Sequence, residues 1–339
     1  MERCLQLAQL GAGRVSTNPL VGCVVVHNGV IVGEGYHHAY GQAHAEVNAI
    51  NAVADKSLLP QSTLYVTLEP CAHYGKTPPC ADLITKHQLK RVVIGTTDTF
   101  SLVAGKGIEK LKNAGIEVTV GVLEEECRYQ NRRFFCFNEK KRPYVLLKWA
   151  QTADGFIGRL PNENDLDKGI SNAETNIWVH RLRTEEDAIL VGKNTALLDN
   201  PSLTARLWQG KNPTRVLIDR KLEVPKTFNI FKDDARVIVF NETIEQEDGH
   251  IHYCKTDFEQ PLIPEVLEGL NKHNIQSVLV EGGAATLQQF IDVRLWDEAL
   301  VITSDKTWGH GIEAPHINGS VFTTQTLGSD TITQLLPTE

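Results

Sequence analysis

Residues 66–80 read VTLEPCAHYGKTPPC, and upstream residues 44–50 read HAEVNAI. The first stretch starts as a strand and passes through a loop too rich in glycine and proline for helix or sheet. It ends at Cys80, which opens the helical pattern ADLITKHQ (81–88). His44 likewise precedes a helical pattern, AEVNAINAVA (45–54). Strand, loop and helix in this order are the texture of an α/β layer, with chemistry-bearing residues where strands end and helices begin. Cys71 and Cys80 lie nine positions apart, which is neither the C-x-x-C of a redox pair nor that of a common zinc finger.

Outward from this stretch the first 125 residues keep alternating. Residues 2–10 (ERCLQLAQL) space apolar side chains helically. Residues 21–27 (VGCVVVH) form a β-branched run that meets Asn28-Gly29 and a second strand from Val30 to Gly33. Asn-Gly between two such runs predicts a tight hairpin, because both residues accept positive φ. TLYVTLE (63–69) and RVVIGTTD (91–98) read as strands, IEKLKNAG (108–115) as a helix with a glycine stop, and IEVTVGV (116–122) as a short strand. Crossover helices then join the strands that follow the hairpin into a mixed sheet.

From Glu124 to Pro143 the texture changes to EEECRYQNRRFFCFNEKKRP, charged, aromatic and helix-prone. Its cations are Arg128, Arg132, Arg133, Lys140, Lys141 and Arg142. They read as a solvated helix face or hinge in preference to a nucleic-acid patch, because the formal net charge is −8. After Pro143 a second series begins. YVLLKWA, DAILVG, TRVLID, ARVIVF, QSVLVEGG and EALVITS are strand-like, with ETNIWVHRLR and AATLQQFIDV helical among them. A chain of 339 residues exceeds what one core usually holds, so two α/β domains are expected, residues 1–142 and 143–339.

The apolar runs, such as VGCVVV and RVVIG, are strand-length, so no membrane span is expected. No charged start followed by an apolar segment marks the chain for export. Seven cysteines, an odd number, then point to reduced thiols and a cytoplasmic location. Reduced thiols are free to bind metal.

Catalytic zinc takes three protein ligands of thiolate and imidazole type and keeps a fourth position open. His44, Cys71 and Cys80 supply such a set, two of them at helix starts where the backbone dipole favours a thiolate. Glu46, on the same first turn as His44, points elsewhere and is left to move protons. H-x-E followed by P-C and a second cysteine is the signature of zinc nucleobase deaminases, whose glutamate is the general acid/base. Here the second cysteine lies nine residues on, where that signature has three, so the loop AHYGKTPP must fold out and return. A structural four-ligand site is the rival, with His73 its nearby fourth donor. In the second half, SVLVEGGAATLQQF (277–290) sets a glycine pair between a buried strand and a helix. Such a turn can hold a phosphate on backbone amides, and equally can be a tight connection, because no G-x-G-x-x-G is present.

HAE followed by EPCAHYGKTPPC resembles the deaminase domain of the bifunctional riboflavin-biosynthesis deaminase–reductases. NPLVGCVVV (18–26), VGEGYHHAYGQAHAE (32–46), LVAGKGIEKLKNAGIEV (102–118), NRRFFCF and RPYVLLKWAQTADG extend the likeness along nearly the whole chain. The resemblance implies a cytidine-deaminase-like mixed-sheet α/β/α domain followed by a dihydrofolate-reductase-like α/β domain. It implies Zn2+ on His44, Cys71 and Cys80, Glu46 as the catalytic proton shuttle, and Asn18 and His73 in the substrate pocket. For the second domain it implies NADPH against Ala150, Thr195, Asp199 and Gly283, Ala284, Ala285, Thr286 and Leu287. Arg183, Leu203, Arg206 and Glu281 would hold the phosphate-bearing end of the substrate. The reactions implied are deamination of 2,5-diamino-6-ribosylamino-4(3H)-pyrimidinone 5′-phosphate, then NADPH reduction of its ribosyl chain to ribityl. The partner is a small phosphorylated pyrimidine, with neither nucleic acid nor membrane involved and with a homo-oligomer left open.

The chain departs from the family pattern at two places. ENDLDKGISNAE (163–174) puts Gly169 where an aromatic is expected, and DTFSLVAGKG (98–107) lacks the usual Asn-Pro. Two other readings follow. One is a zinc deaminase whose reductase-like half only binds, and the other is a non-catalytic zinc protein.

Overall fold

Asn28 and Gly29 both take positive φ, 48° and 79°, and they turn β1 (Gly22–His27) into β2 (Val30–Tyr36) as an antiparallel pair. The computed structural model describes residues 1–74, 78–99, 105–160 and 169–338. The expectations that fall on 75–77, 100–104 and 161–168 therefore lie outside the described residues. By internal contacts the chain divides into two units, Met1–Lys141 and Arg142–Glu339.

In the first unit β1 also pairs antiparallel with β3 (Thr63–Leu68). β3, β4 (Arg91–Thr96) and β5 (Glu117–Val120) then run parallel, giving the order β2-β1-β3-β4-β5. Parallel neighbours need crossovers. These are α3 (Cys80–Lys86), between β3 and β4, and α4 (Lys106–Asn113), between β4 and β5. α1 (Glu2–Gln9) buries Cys4, Leu7 and Ala8, while α2 (Ala45–Ala52) packs Ala45, Ala49 and Ile50 into the main core with Val66, Ile84 and Ile94. α2 can approach β2 closely because Gly33 and Gly35 face it: a Cβ at either would fall within 2.4 Å of the Ala49 backbone. The glycines thus set the height at which His44 and Glu46 stand above the sheet.

The charged segment forms two helices, α5 (Glu124–Gln130) and α6 (Arg132–Lys140). Between them the buried Asn131 turns inward and bonds both the N–H and the carbonyl of Leu20, at 2.7 and 2.9 Å. Arg128 pairs with Glu139 at 2.7 Å and stacks on Phe135, so that part of the basic cluster neutralises itself on the helices that carry it.

The second unit is built on a ten-stranded sheet, with β7 and β15 forming a separate two-stranded pair. In chain order its elements are β6 (Tyr144–Gln151), β7 (Phe156–Gly158), α7 (Ala173–Glu185), β8 (Ala188–Gly192), α8 (Lys193–Asp199), β9 (Thr214–Ile218), β10 (Val237–Asn241), β11 (Gln246–Asp248), β12 (Ile251–Lys255), α9 (Leu262–Lys272), β13 (Ser277–Val280), α10 (Ala284–Asp292), β14 (Glu298–Thr303), β15 (Ile312–Glu313), β16 (Gly319–Leu327) and β17 (Asp330–Pro337). The sheet order is β11-β12-β10-β9-β8-β13-β6-β14-β17-β16, and β12 through β14 are mutually parallel. Buried clusters cover both faces, one around Phe240, Val266, Val280 and Phe290, the other around Leu146, Ile189, Leu217 and Leu279. That explains why β8 and β13 are buried at every position and read as nearly continuous apolar runs. The hairpin β16–β17 carries no such run: β16 reads GSVFTTQTL and is exposed along almost its whole length, so its sequence lacks the signal of a buried strand.

Candidate active sites

β3 ends at Leu68, and the next three residues, Glu69-Pro70-Cys71, lead the chain off the sheet. Glu69 is buried, and its carboxylate accepts the backbone N–H groups of Asp98, Gly105, Gly107 and Ile108 at 2.9 to 3.3 Å. It therefore ties both ends of the β4–α4 connection to the strand that delivers Cys71. Cys80 begins α3, and its N–H donates to the Cys71 sulfur at 3.3 Å.

His44 is the N-cap of α2 and faces this pair. Its Nδ1 lies 3.6 Å from the Cys71 sulfur and 3.3 Å from that of Cys80. All three ligand atoms fall within 4.8 Å of one another, the single group of this kind among the described residues. A tetrahedral ion with zinc's usual bond lengths to sulfur and imidazole would set nitrogen and sulfur about 3.6 Å apart, so the donor set fits zinc in chemistry and in spacing. The hydrogen bond from Cys80, opposed by burial and helped by His44, brings the Cys71 thiol down to about 4. Cys80, on the other side of that bond and deeply buried, moves up. One thiolate is thus already favoured before any metal is considered.

Glu46 is buried at 3% exposure and its carboxylate reaches the Cys80 thiol, so it stands beside the cluster without belonging to it. Two positions apart at a helix start, His44 and Glu46 face different ways, and Glu46 comes to the edge of the cluster because α3 brings the Cys80 thiol to it. Burial, then the neighbouring Cys71, pushes the Glu46 carboxyl up to about 7, the range in which a carboxyl can both take and give a proton near neutrality.

Asn18 bonds His37, Nδ2 to Nε2, at 3.0 Å, while Nδ1 of His37 meets the Ala43 carbonyl at 3.1 Å. The carbonyl can only accept, so Nδ1 carries the proton and Nε2 accepts from Asn18. The His37 ring packs edge-on to His44, centroids 5.6 Å apart, and this places Asn18 next to the cluster through an intermediary. His73 is exposed and stands outside the three-residue group. The four-ligand alternative therefore has no fourth donor among the described residues.

In the second unit the carboxyl ends of β6 and β13 meet α7 and α8 around a cavity of about 360 Å³ lined by Lys148, Ala150, Asn176, His180, Arg183, Thr195, Asp199, Glu281 and Gly283. Glu281 forks onto Arg183 at 2.7 and 3.0 Å and meets Lys148 at 3.3 Å. Burial pushes the Glu281 carboxyl up, but the two cations overcome it and hold it at about 2. Arg183 also donates to the Thr204 carbonyl at 3.0 Å. Thr195, Asp199 and Gly283 also line a groove of about 1000 Å³ that runs on along Gly283–Thr286 to Arg220 and Phe258. Thr195 Oγ1 receives the Gly283 N–H at 2.7 Å, which fixes the glycine turn at the mouth of α10.

Of the residues expected here, Ala150, Thr195, Asp199, Gly283, Ala284, Ala285, Thr286, Arg183 and Glu281 line these two spaces. Leu287 and Leu203 do not. Both residues are buried in the core, at 0% and 3% exposure, so neither presents its side chain to a ligand. Arg206 is exposed on the loop after α8 and donates to Thr204 Oγ1 at 3.4 Å. Gly169 lines the cavity, its carbonyl held by Lys306 at 2.5 Å. His37, Lys148 and His180 were not singled out from sequence. Lys148 left a trace there, as the one charge in the apolar strand YVLLKWA.

A soft three-ligand metal cluster on a mixed sheet, in one chain with a dinucleotide-sized groove at parallel strand ends, defines a two-domain deaminase–reductase. Residues 1–96 match the cytidine and deoxycytidylate deaminase zinc-binding region, and residues 143–334 match the RibD C-terminal domain. The riboflavin biosynthesis protein RibD of Aquifex aeolicus is 42% identical over 320 residues, spanning 92% of this chain and 88% of its own. RibD of Bacillus amyloliquefaciens is 42% identical over 307 residues, 88% of this chain and 81% of its own. The crystal structure of a diaminohydroxyphosphoribosylaminopyrimidine deaminase/5-amino-6-(5-phosphoribosylamino)uracil reductase from Thermotoga maritima superposes with a TM-score of 0.91 at 40% identity, covering 100% of this chain and 97% of that one. The chain belongs to the RibD family of riboflavin biosynthesis proteins. Its two units have the cytidine-deaminase-like and dihydrofolate-reductase-like folds that the sequence implies.

Proposed function

We propose that residues 1–142 deaminate 2,5-diamino-6-ribosylamino-4(3H)-pyrimidinone 5′-phosphate and that residues 143–339 then reduce the ribosyl chain of the product with NADPH. The observation that carries this reading is the His44–Cys71–Cys80 cluster with Glu46 buried against it. His44, Cys71 and Cys80 would hold zinc, which when bound would supply Lewis acidity that lowers the pKa of water from 15.7 toward about 7. Glu46, buried beside them, is the group that would carry a proton to the ring nitrogen and then to the departing ammonia. Asn18, oriented by His37, supplies an amide to the pyrimidine. His73 belongs to this proposal only as a residue at the rim.

In the second unit Arg183 and Arg206 supply charge for the phosphate, with Glu281 fixing the Arg183 fork and Lys148 Nζ. The backbone of Leu203 completes that wall. Ala150, Thr195, Asp199 and Gly283 to Leu287 would hold NADPH, which when bound would supply the hydride. The reading that this half only binds is not favoured, because the likeness to a deaminase/reductase runs through both halves of the chain. No helix among the described residues is long and apolar enough to cross a membrane, and we place the enzyme in the cytoplasm, acting on a small phosphorylated pyrimidine. The test supplies that substrate and follows ammonia and NADPH together. Ammonia release first, with NADPH consumed only as deaminated product accumulates, is expected. Ammonia without any NADPH oxidation would reduce the second half to a binding module.

A further inference from the structure

α7 turns three polar side chains, Asn176, His180 and Arg183, onto the cavity at the ends of β6 and β13. The middle one is a buried histidine at 6% exposure. Its Nδ1 receives the N–H of Leu207 at 3.5 Å. A backbone N–H can only donate, so Nδ1 holds the lone pair and the proton of the neutral ring sits on Nε2. Nε2 has no protein partner among the described residues and is not sealed from solvent, which leaves an N–H donor open to the cavity.

The charges around it are unbalanced. Arg183 lies one turn further along the helix, Arg206 comes from the loop after α8, and Lys148 comes from β6; the carboxylate acting on the ring is Glu281 from beyond β13, and a second carboxylate, Asp199 of α8, lines the same cavity. Burial, then Arg183 and Arg206, brings the imidazole down to about 4, so the ring is neutral at ordinary pH. Glu281 is already spent on Arg183 and Lys148. Around His180, as distinct from the Asp199 side of the cavity, donors and cations outnumber acceptors, the complement of a phosphate.

We propose that His180 is a substrate-binding residue of the reductase half, its Nε2–H donating to a phosphate oxygen of the deaminated ribosylaminopyrimidine phosphate. The assignment rests on the reductase reading above. Because Leu207 follows Arg206, the same ring also holds the loop that carries that cation, and His180 joins the two sides of the phosphate site.

Two variants separate these roles. His180→Asn keeps an acceptor near Nδ1 for Leu207 and removes the cavity donor, whereas His180→Gln keeps a donor near Nε2 and releases the loop. With the deaminated phosphorylated substrate, His180→Asn should raise KM about 10- to 100-fold, the usual worth of a hydrogen bond to a charged group. Its kcat, NADPH affinity and thermal midpoint should stay close to those of the parent. His180→Gln should keep KM within about threefold while lowering the thermal midpoint. With the dephosphorylated nucleoside the Asn penalty should disappear. An unchanged KM in His180→Asn, or an equal penalty on the nucleoside, overturns the proposal. So does loss of NADPH binding in both variants, which would make the residue structural. Failure of the parent protein to oxidise NADPH with this substrate would instead sink the reductase reading itself.

Discussion

His44 Nδ1 lies 3.3 Å from the Cys80 sulfur although 36 residues separate them. Both stand where a helix begins, His44 as the cap of α2 and Cys80 as the first residue of α3. The partial positive charge of two helix starts converges on the sulfurs, and Cys71 arrives between them from the end of β3. Replacing Cys80 with serine removes a ligand without disturbing the second unit. Zinc affinity should then fall by more than the ~100-fold that an outer-sphere change costs. Ammonia release should be lost and NADPH oxidation with pre-deaminated substrate retained. Metal analysis of the purified variant checks it, and ammonia release by metal-free protein would refute the ligand set.

Glu46 shares a helical turn with His44, reaches the Cys80 thiol and lies within the charge field of Cys71 and His44. Glu46→Gln keeps the shape and abolishes proton transfer. Bound zinc should stay at the parent level while ammonia release drops about 10²- to 10⁴-fold. Zinc content and steady-state rates on one preparation decide it, and a variant that lost both together would make Glu46 structural.

Much of this site was legible because each part carries a local signal. A helix pattern starts at His44 and another at Cys80, a strand ends before Cys71, and Asn28-Gly29 marks the hairpin. His37 was not legible, since its work depends on Asn18 and His44, which only the folded sheet brings to it. Leu203 and Leu287 show the converse limit. A resemblance carries positions from one chain to another, but the direction of a side chain is set by packing, and both of these point into the core. β16 escaped because a threonine-rich exposed strand buries nothing that a hydrophobic pattern could report.

Thr195 and Gly283 are 88 residues apart in sequence and joined by one hydrogen bond of 2.7 Å. Thr195→Val keeps the volume and deletes that acceptor, freeing the turn that opens α10. The half-buried N–H would then lack its partner, and NADPH affinity should weaken about tenfold, with ammonia release unchanged. Fluorescence titration with NADPH measures it, and an unaltered affinity would remove Thr195 from the cofactor site.

Glu281 is held at about 2 against the burial that pushes it up, because Lys148 and Arg183 flank it. Its folded value lies below the ordinary carboxylate value of 4.5. The stability it contributes is therefore complete above about pH 4.5 and is lost as pH falls toward 2. Glu281→Gln leaves two buried cations without their carboxylate, and loss of one partner from a buried ion pair costs about 3–5 kcal/mol. Unfolding of the second unit, followed by denaturant titration at neutral pH, should show a destabilisation of that size. Repeating the titration between pH 5 and 2.5 should show a shallower pH dependence in the variant, because the group that titrates there is gone. Equal slopes in parent and variant would mean that Glu281 is not the carboxylate whose ionisation supports the reductase cavity.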